Sequence, residues 1–224
     1  AVAQSATMID VVVRTDQEVL ACMLGEDGVL EGAAPGSLVL LHSTIRPATT
    51  KKVAVAAADK RVYVIDACMT AVPSAVRQGG LTFLVGGQRV LFDRAKPHLL
   101  TMAKDAVYMG PLGSGNVTKL FKNMVTASEA LIVYEALQIA KAGGISAKAA
   151  LDLMQKTKSP HILERWEMRY DLSGGDLKFN AGTNLYDKDL PLAAEVGKSL
   201  GADIPVTEAL SRLGIKLNGG KCNI

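Results

Sequence analysis

The stretch Gly110-Pro111-Leu112-Gly113-Ser114-Gly115-Asn116-Val117-Thr118-Lys119-Leu120-Phe121-Lys122-Asn123 divides this 224-residue chain into two textures. Before it, short runs rich in Val, Leu and Ile alternate with helical stretches. After it, the pattern is helical throughout. Glycines just ahead of a helix let the backbone approach a ligand closely, with free N–H groups pointing at it. Lys119 and Asn123 stand four residues apart, so on a helix they share one face. An ammonium beside an amide suits a hydroxyl or carbonyl oxygen, the lysine exchanging its proton while the asparagine holds it. Unaided, the commoner meaning of such a stretch is a solvated helix lysine behind an ordinary turn.

Upstream, IDVVV (9–13), SLVLL (37–41), VYVID (62–66), LTFLV (81–85) and DAVYM (105–109) have strand length. Their near-continuous apolar character predicts strands covered on both faces. Helical patterns fill 16–24, 47–59 and 88–99, the second opened by Pro47 at a position where a first turn tolerates proline. Strands alternating with helices of this length predict a parallel, layered α/β unit, with the final pair free to depart because short connections there permit an antiparallel edge. Three further segments carry polar groups. Leu41-His42-Ser43-Thr44-Ile45-Arg46 precedes Pro47, and its hydroxyls suit helix capping. Asp66-Ala67-Cys68-Met69-Thr70-Ala71-Val72 reads as a strand leaving the sheet into a loop, where open α/β sheets bind ligands. Tyr186-Asp187-Lys188-Asp189 has the composition of a solvated charge cluster.

Downstream, 115–142 reads as one long helix without internal Pro or Gly, stopped by Gly143-Gly144. Val117, Leu120, Phe121, Met124, Val125, Leu131, Ile132, Val133, Leu137 and Ile139 surround most of it, which predicts burial on several sides, between domains or between subunits. Helical patterns follow at 146–156, 159–166, 182–200 and 205–217, with Ser146 and Thr207 as helix starts. The fold class is α/β followed by all-α, with units at 1–112 and 113–224.

Bulk properties narrow the classes. Apolar residues make up 49% and charged residues 21%, the mixture of a globular protein. A formal charge of +3, spread along the chain, with one Trp, five Tyr and four Phe, argues against a nucleic-acid platform. The apolar runs are too short for the roughly 20 residues of a membrane span. Cys22, Cys68 and Cys222 are odd in number and unpatterned, which suits a reducing, cytoplasmic compartment. His42, His98 and His161 stand apart without ligand spacing, so no metal is expected.

Taken together, these segments resemble the β-hydroxyacid dehydrogenase family, which includes 3-hydroxyisobutyrate dehydrogenases and tartronate semialdehyde reductases. The segment 113–123 is similar to the family's GxGxxxKxxxN, where the lysine is the acid/base and the asparagine binds substrate. The resemblance therefore implies a catalytic Lys119 and a substrate-binding Asn123. It implies that Ser43 and Thr44 meet the nicotinamide end of NAD or NADP and that Lys188 lies near cofactor and substrate. Thr70, Ala71 and Val72 fall on the family's DAPVSGG segment, whose serine and glycines hold the substrate carboxylate. Here Ala71 and Val72 carry side chains where the family has glycine. The family's G-x-G-x-x-G unit has no counterpart in these residues, so the resemblance covers the C-terminal part of a Rossmann-like sheet domain, a long helix and a helical substrate and dimerisation domain. The implied activity is NAD(P)-dependent oxidation of a short 3-hydroxy acid, or reduction of its semialdehyde, by a cytoplasmic homodimer or higher oligomer. The alternative is a truncated or degenerate, non-catalytic relative kept for assembly or small-acid binding.

Overall fold

The structure, a computed structural model, describes residues 2–71, 73–157, 170–171, 178–179, 185–201 and 204–218. The chain divides into two compact units, Ala1–Leu120 and Phe121–Ile224. The first is built on five strands, β1 (Met8–Val11), β2 (Leu38–Leu41), β3 (Tyr63–Thr70), β4 (Thr82–Gly86) and β5 (Asp105–Gly110), hydrogen-bonded in that order. Helices α1 (Asp16–Leu24), α2 (Val29–Gly32), α3 (Pro47–Asp59), α4 (Pro73–Arg77) and α5 (Arg89–Leu99) connect them.

The continuous apolar run of β2 follows from burial on both faces. Val39 and Leu41 join Val19 and Met23 of α1 and Val53 and Ala57 of α3 in one core. Leu38 and Leu40 face the other way, with Ile65, Phe83 and Val85, against Leu91, Phe92, Ala95 and Leu99 of α5. Alternation of side chains across a strand thus feeds two cores from four consecutive residues, each fully buried leucine contributing about 1.5–3 kcal/mol.

The pairings β1·β2, β2·β3 and β4·β5 are parallel, and only β3·β4 is antiparallel. The departure from parallel order therefore falls one step earlier than the connection lengths suggested. Between β4 and β5 the helix α5 makes a full crossover. Between β3 and β4 there is only the five-residue α4, too little chain to return to the far end of the sheet. The strand β3 also runs to Thr70, four residues past its expected end, because Asp66 to Thr70 pair with Gly86 to Thr82. Thr70 is consequently a strand residue and not part of a loop.

The long helix α6 spans Ser114–Ala142. It stops where Gly144 turns to φ +82°. There the N–H of Gly144 bonds to Lys141 O and that of Ile145 to Ala140 O, a glycine-dependent end that closes open carbonyls. Ala127, Ala130, Leu131, Val133 and Leu137 of α6 are buried with Leu151, Tyr186 and Leu190. Burial is not all-round, however: Phe121 is 62% exposed and Ile132 58% exposed.

In the second unit, α7 (Ala147–Lys156) opens as expected on Ser146, whose hydroxyl accepts from Ala149 N–H. A five-residue π-helical turn (Leu185–Asp189) runs into α8 (Leu190–Ser199), and α9 spans Pro205–Leu217. Thr207 does not start α9. Pro205 does, its ring already set for a first turn, and Thr207 is buried inside the helix. Two short strands, β6 (Tyr170–Asp171) and β7 (Lys178–Phe179), form an antiparallel pair that the helical pattern did not suggest. The expected helix at 159–166, residues 182–184 of the next one, His161 and Cys222 lie outside the described residues. No helix among the described residues is long and apolar enough to cross a membrane.

Candidate active site

At the glycine-rich turn before α6, the N–H groups of Gly113 and Asn116 are already engaged inside the protein. Asp66, near the middle of β3 and fully buried, places its carboxylate against the start of the helix. Gly113 N–H donates to Oδ1 at 2.7 Å and Asn116 N–H to Oδ2 at 2.8 Å. Unsatisfied helix-initiating donors are thereby closed by a residue of the sheet, where the helix dipole favours negative charge. Burial nevertheless pushes the Asp66 carboxyl above the usual carboxylate range, with the N–H groups of Gly113 and Asn116 opposing that rise. The glycines are needed for this internal contact. A Cβ on Gly115 would strike Leu84 O and Asp66 Oδ2, and one on Gly86 would strike Asp66 Oδ1. Gly113, at φ +96°, also faces Pro47, 3.1 Å from where its Cβ would lie.

Asn116, on the first turn of α6, is fully buried and completes the anchor. Its Nδ2 donates to Ser43 O at 3.2 Å and lies 3.2 Å from Cys68 Sγ, while its Oδ1 accepts from Thr50 Oγ1 at 2.8 Å. Cys68 Sγ in turn reaches Ser43 O at 3.4 Å. One amide thus joins α6, α3, β3 and the loop after β2. Unlike Lys119 and Asn123, Asn116 has no spacing to mark it, because Asn in a first helical turn signals nothing until its partners are known.

The expected site residues fall into two groups. In the first unit, the buried Ser43 hydroxyl donates to Val13 O at 2.6 Å, tying the loop after β2 to the end of β1. Thr44 and Thr70 are half-buried, Ala71 is exposed, and Val72 lies outside the described residues. Lys119 is half-buried, one turn beyond Asn116. In the second unit, Asn123 is buried and donates from Nδ2 to Asp189 Oδ2 at 2.7 Å. Lys188 Nζ lies 3.3 Å from Asp189 Oδ1, and both side chains are buried. The segment 186–189 is therefore not a solvated charge cluster. Tyr186 packs on Phe179 with ring centroids 4.8 Å apart, and a Cβ on Gly214 of α9 would lie 3.3 Å from Tyr186 O. These contacts enclose the turn, whose Tyr186, Asp187, Lys188 and Asp189 are all buried.

Two of the histidines are not isolated either. His42 Nε2 and His98 Nε2 each lie 2.7 Å from an oxygen of Asp10, while His42 Nδ1 lies 2.7 Å from Ala67 O. The hydrogen bond with His42 is the largest of the effects that hold the Asp10 carboxyl below its usual range. Among the described residues, no group of three His, Cys, Asp or Glu could hold a metal ion.

Comparison with known proteins agrees with both halves of this architecture. Residues 1–110 match the NAD binding domain of 6-phosphogluconate dehydrogenase, and residues 113–220 match the NAD-binding domain of NADP-dependent 3-hydroxyisobutyrate dehydrogenase. The chain belongs to the β-hydroxyacid dehydrogenase family. Within the family, it is 29% identical over 214 residues to the NAD-dependent L-serine dehydrogenase of Pseudomonas aeruginosa, covering 91% of this chain and 70% of that one. It is 30% identical over 196 residues to the 3-hydroxyisobutyrate dehydrogenase of the same organism, covering 85% and 66%. A Mycobacterium tuberculosis 3-hydroxyisobutyrate dehydrogenase solved with L-serine shares the fold, with a TM-score of 0.81 at 24% identity over 99% of this chain and 77% of that one. The chain thus spans about two thirds of the length of the family relatives it matches.

The turns at the strand ends differ in what they offer a dinucleotide. The turn before α6 cannot take the pyrophosphate, because the Asp66 carboxylate already uses its N–H groups and would repel a second anion. The turns β1–α1 (12–15) and β2–α3 (42–46) contain no glycine. The carboxyl ends of the parallel strands β1 and β2, with Thr44 half-buried beside them, suit the nicotinamide end.

Proposed function

We propose that this chain takes part in hydride exchange between a nicotinamide cofactor, NAD or NADP, and a short 3-hydroxy acid or its semialdehyde. The observation that carries the reading is the family's lysine and asparagine at the required spacing on the uninterrupted helix α6, behind a glycine turn tied to the sheet. When bound, the nicotinamide supplies or accepts the hydride at the carbon that bears the substrate oxygen.

The chain's own residues handle the proton and the geometry. Lys119 Nζ takes the hydroxyl proton as the alcohol is oxidised and returns it in reduction. Asn123 orients that oxygen, with its amide held by Asp189. Thr70 and Ala71, with Val72, bind the substrate carboxylate. The loop of Ser43 and Thr44, with Lys188, holds the nicotinamide end. Residues 113–224 serve as the substrate and dimerisation part, and the exposed Phe121 on α6 supports a second copy as partner. The three unpatterned cysteines support a cytoplasmic setting. Dehydrogenase relatives support catalysis over a non-catalytic role.

The test is Lys119→Ala, followed through absorbance of the reduced nicotinamide with a panel of short 3-hydroxy acids. A positioned acid/base contributes typically ~10²–10⁴-fold, so kcat falls by that factor with folding retained. Unchanged turnover in the variant overturns the assignment.

A further inference from the structure

We propose that Asn116 is a positioning residue that locks the loop at the nicotinamide end to the helix carrying Lys119, and so fixes the geometry of proton transfer. The inference rests on the reading of Lys119 as the proton-transferring group. Asn116, its partners and Lys119 all lie within the first unit.

Two features distinguish this amide from an ordinary buried polar side chain. Both amide hydrogens have an acceptor, Ser43 O and Cys68 Sγ, and the amide oxygen has a donor, Thr50 Oγ1. A buried amide satisfied this fully admits only one placement, because rotation strands polar atoms without water to replace their partners. Its partners also lie on the elements that matter for the reaction. Ser43 belongs to the loop expected at the nicotinamide, and Asn116 lies three residues before Lys119 on α6. The backbone bonds to Asp66 fix the height of the first turn against the sheet, and the close approach of Gly115 to Leu84 O sets its depth. The amide fixes rotation about the helix axis. An extended lysine carries its ammonium about 8 Å from that axis, so each 10° of rotation moves it about 1.4 Å. Misplacement of roughly 1 Å can cost about 10²-fold in rate.

The experiment uses the complete chain and two variants, Asn116→Leu and Thr50→Val. Asn116→Leu removes all three bonds at similar volume, and Thr50→Val removes one while leaving Asn116 in place. The first readout needs no cofactor. Trace acetic anhydride labels amines, and peptide mass mapping gives the rate at Lys119 relative to Lys52, an exposed lysine of α3. Release of the first turn raises that ratio about threefold or more in Asn116→Leu, and less in Thr50→Val. The second readout is turnover, where Asn116→Leu lowers kcat by about 10–100-fold with substrate KM held within about threefold. An unchanged labelling ratio in both variants overturns the proposal. Should Asn116→Leu not fold, the ratio in Thr50→Val alone decides. Lys119→Ala separates the two ideas: undiminished turnover there removes the acid/base reading, while the labelling ratio still reports whether Asn116 holds the helix.

Discussion

Two of the buried aspartates, Asp66 in the first unit and Asp189 in the second, are accommodated by different means. Asp66 meets no cation among its described partners. Backbone N–H groups of a helix start receive it, and burial raises its pKa. Asp189 lies beside the ammonium of Lys188 and the amide of Asn123. The first arrangement places a helix against a sheet through rigid backbone donors. The second gathers two expected site residues around one carboxylate, through side chains that the π-helical turn 185–189 brings inside. A peptide donor is as fixed as the helix it belongs to, whereas an ammonium can leave. Asp66 therefore suits an anchor, and Asp189 suits a group that directs neighbours at a site.

The largest effect should come from removing the cation. Lys188→Met removes the ammonium beside the buried Asp189 carboxylate and lowers stability by about 3–5 kcal/mol, measured by denaturant unfolding. A loss under about 1 kcal/mol would place Asp189 in contact with water and erase the contrast. Next, Asp66→Ala orphans the N–H groups of Gly113 and Asn116 at a cost of about 1–3 kcal/mol each. Amide exchange should then accelerate at the start of α6 before it does so in β2.

The pH dependence sharpens the comparison further. The raised pKa of Asp66 means that its contribution to stability is fully present below the ordinary aspartate value of about 3.9 and is lost as pH rises through the folded value. Relative to Asp66→Asn, the parent should lose unfolding free energy across that window. Asp10 gives the opposite sign and the smallest effect, since it is partly exposed. Its lowered pKa supplies stability above about 3.9 that disappears as pH falls through the folded value, and Asp10→Asn should flatten that loss. Equal slopes for the two variants would contradict the environments described for them.

Local order was legible wherever periodicity and end signals coincide. The helices Asp16–Leu24, Pro47–Asp59 and Pro205–Leu217 lie where the pattern placed them, and the long helix begins at Ser114, one residue early. Burial of β2 on both faces followed from four consecutive apolar residues. The position of the antiparallel step did not follow, because it depends on where a one-turn helix sends the chain. The meeting of His42 with His98 on Asp10 was equally hidden, since these residues lie on β1, after β2 and on α5.

The candidate site shows the same division. Lys119 and Asn123 were readable because helix geometry converts a spacing of four into a shared face. Asp66, Thr50 and Asn116 were not, because their roles arise only when a strand, a helix and a loop distant in sequence pack together. The sequence by itself determined the alternation of strands and helices, the long helix with its glycine stop, and the family to which lysine and asparagine point. Tertiary structure alone decided that the glycine turn before that helix is filled from within and that Lys188 and Asp189 are buried. Hydrophobic periodicity is local and survives in one dimension, but whether a polar group finds a partner or water is settled only by packing.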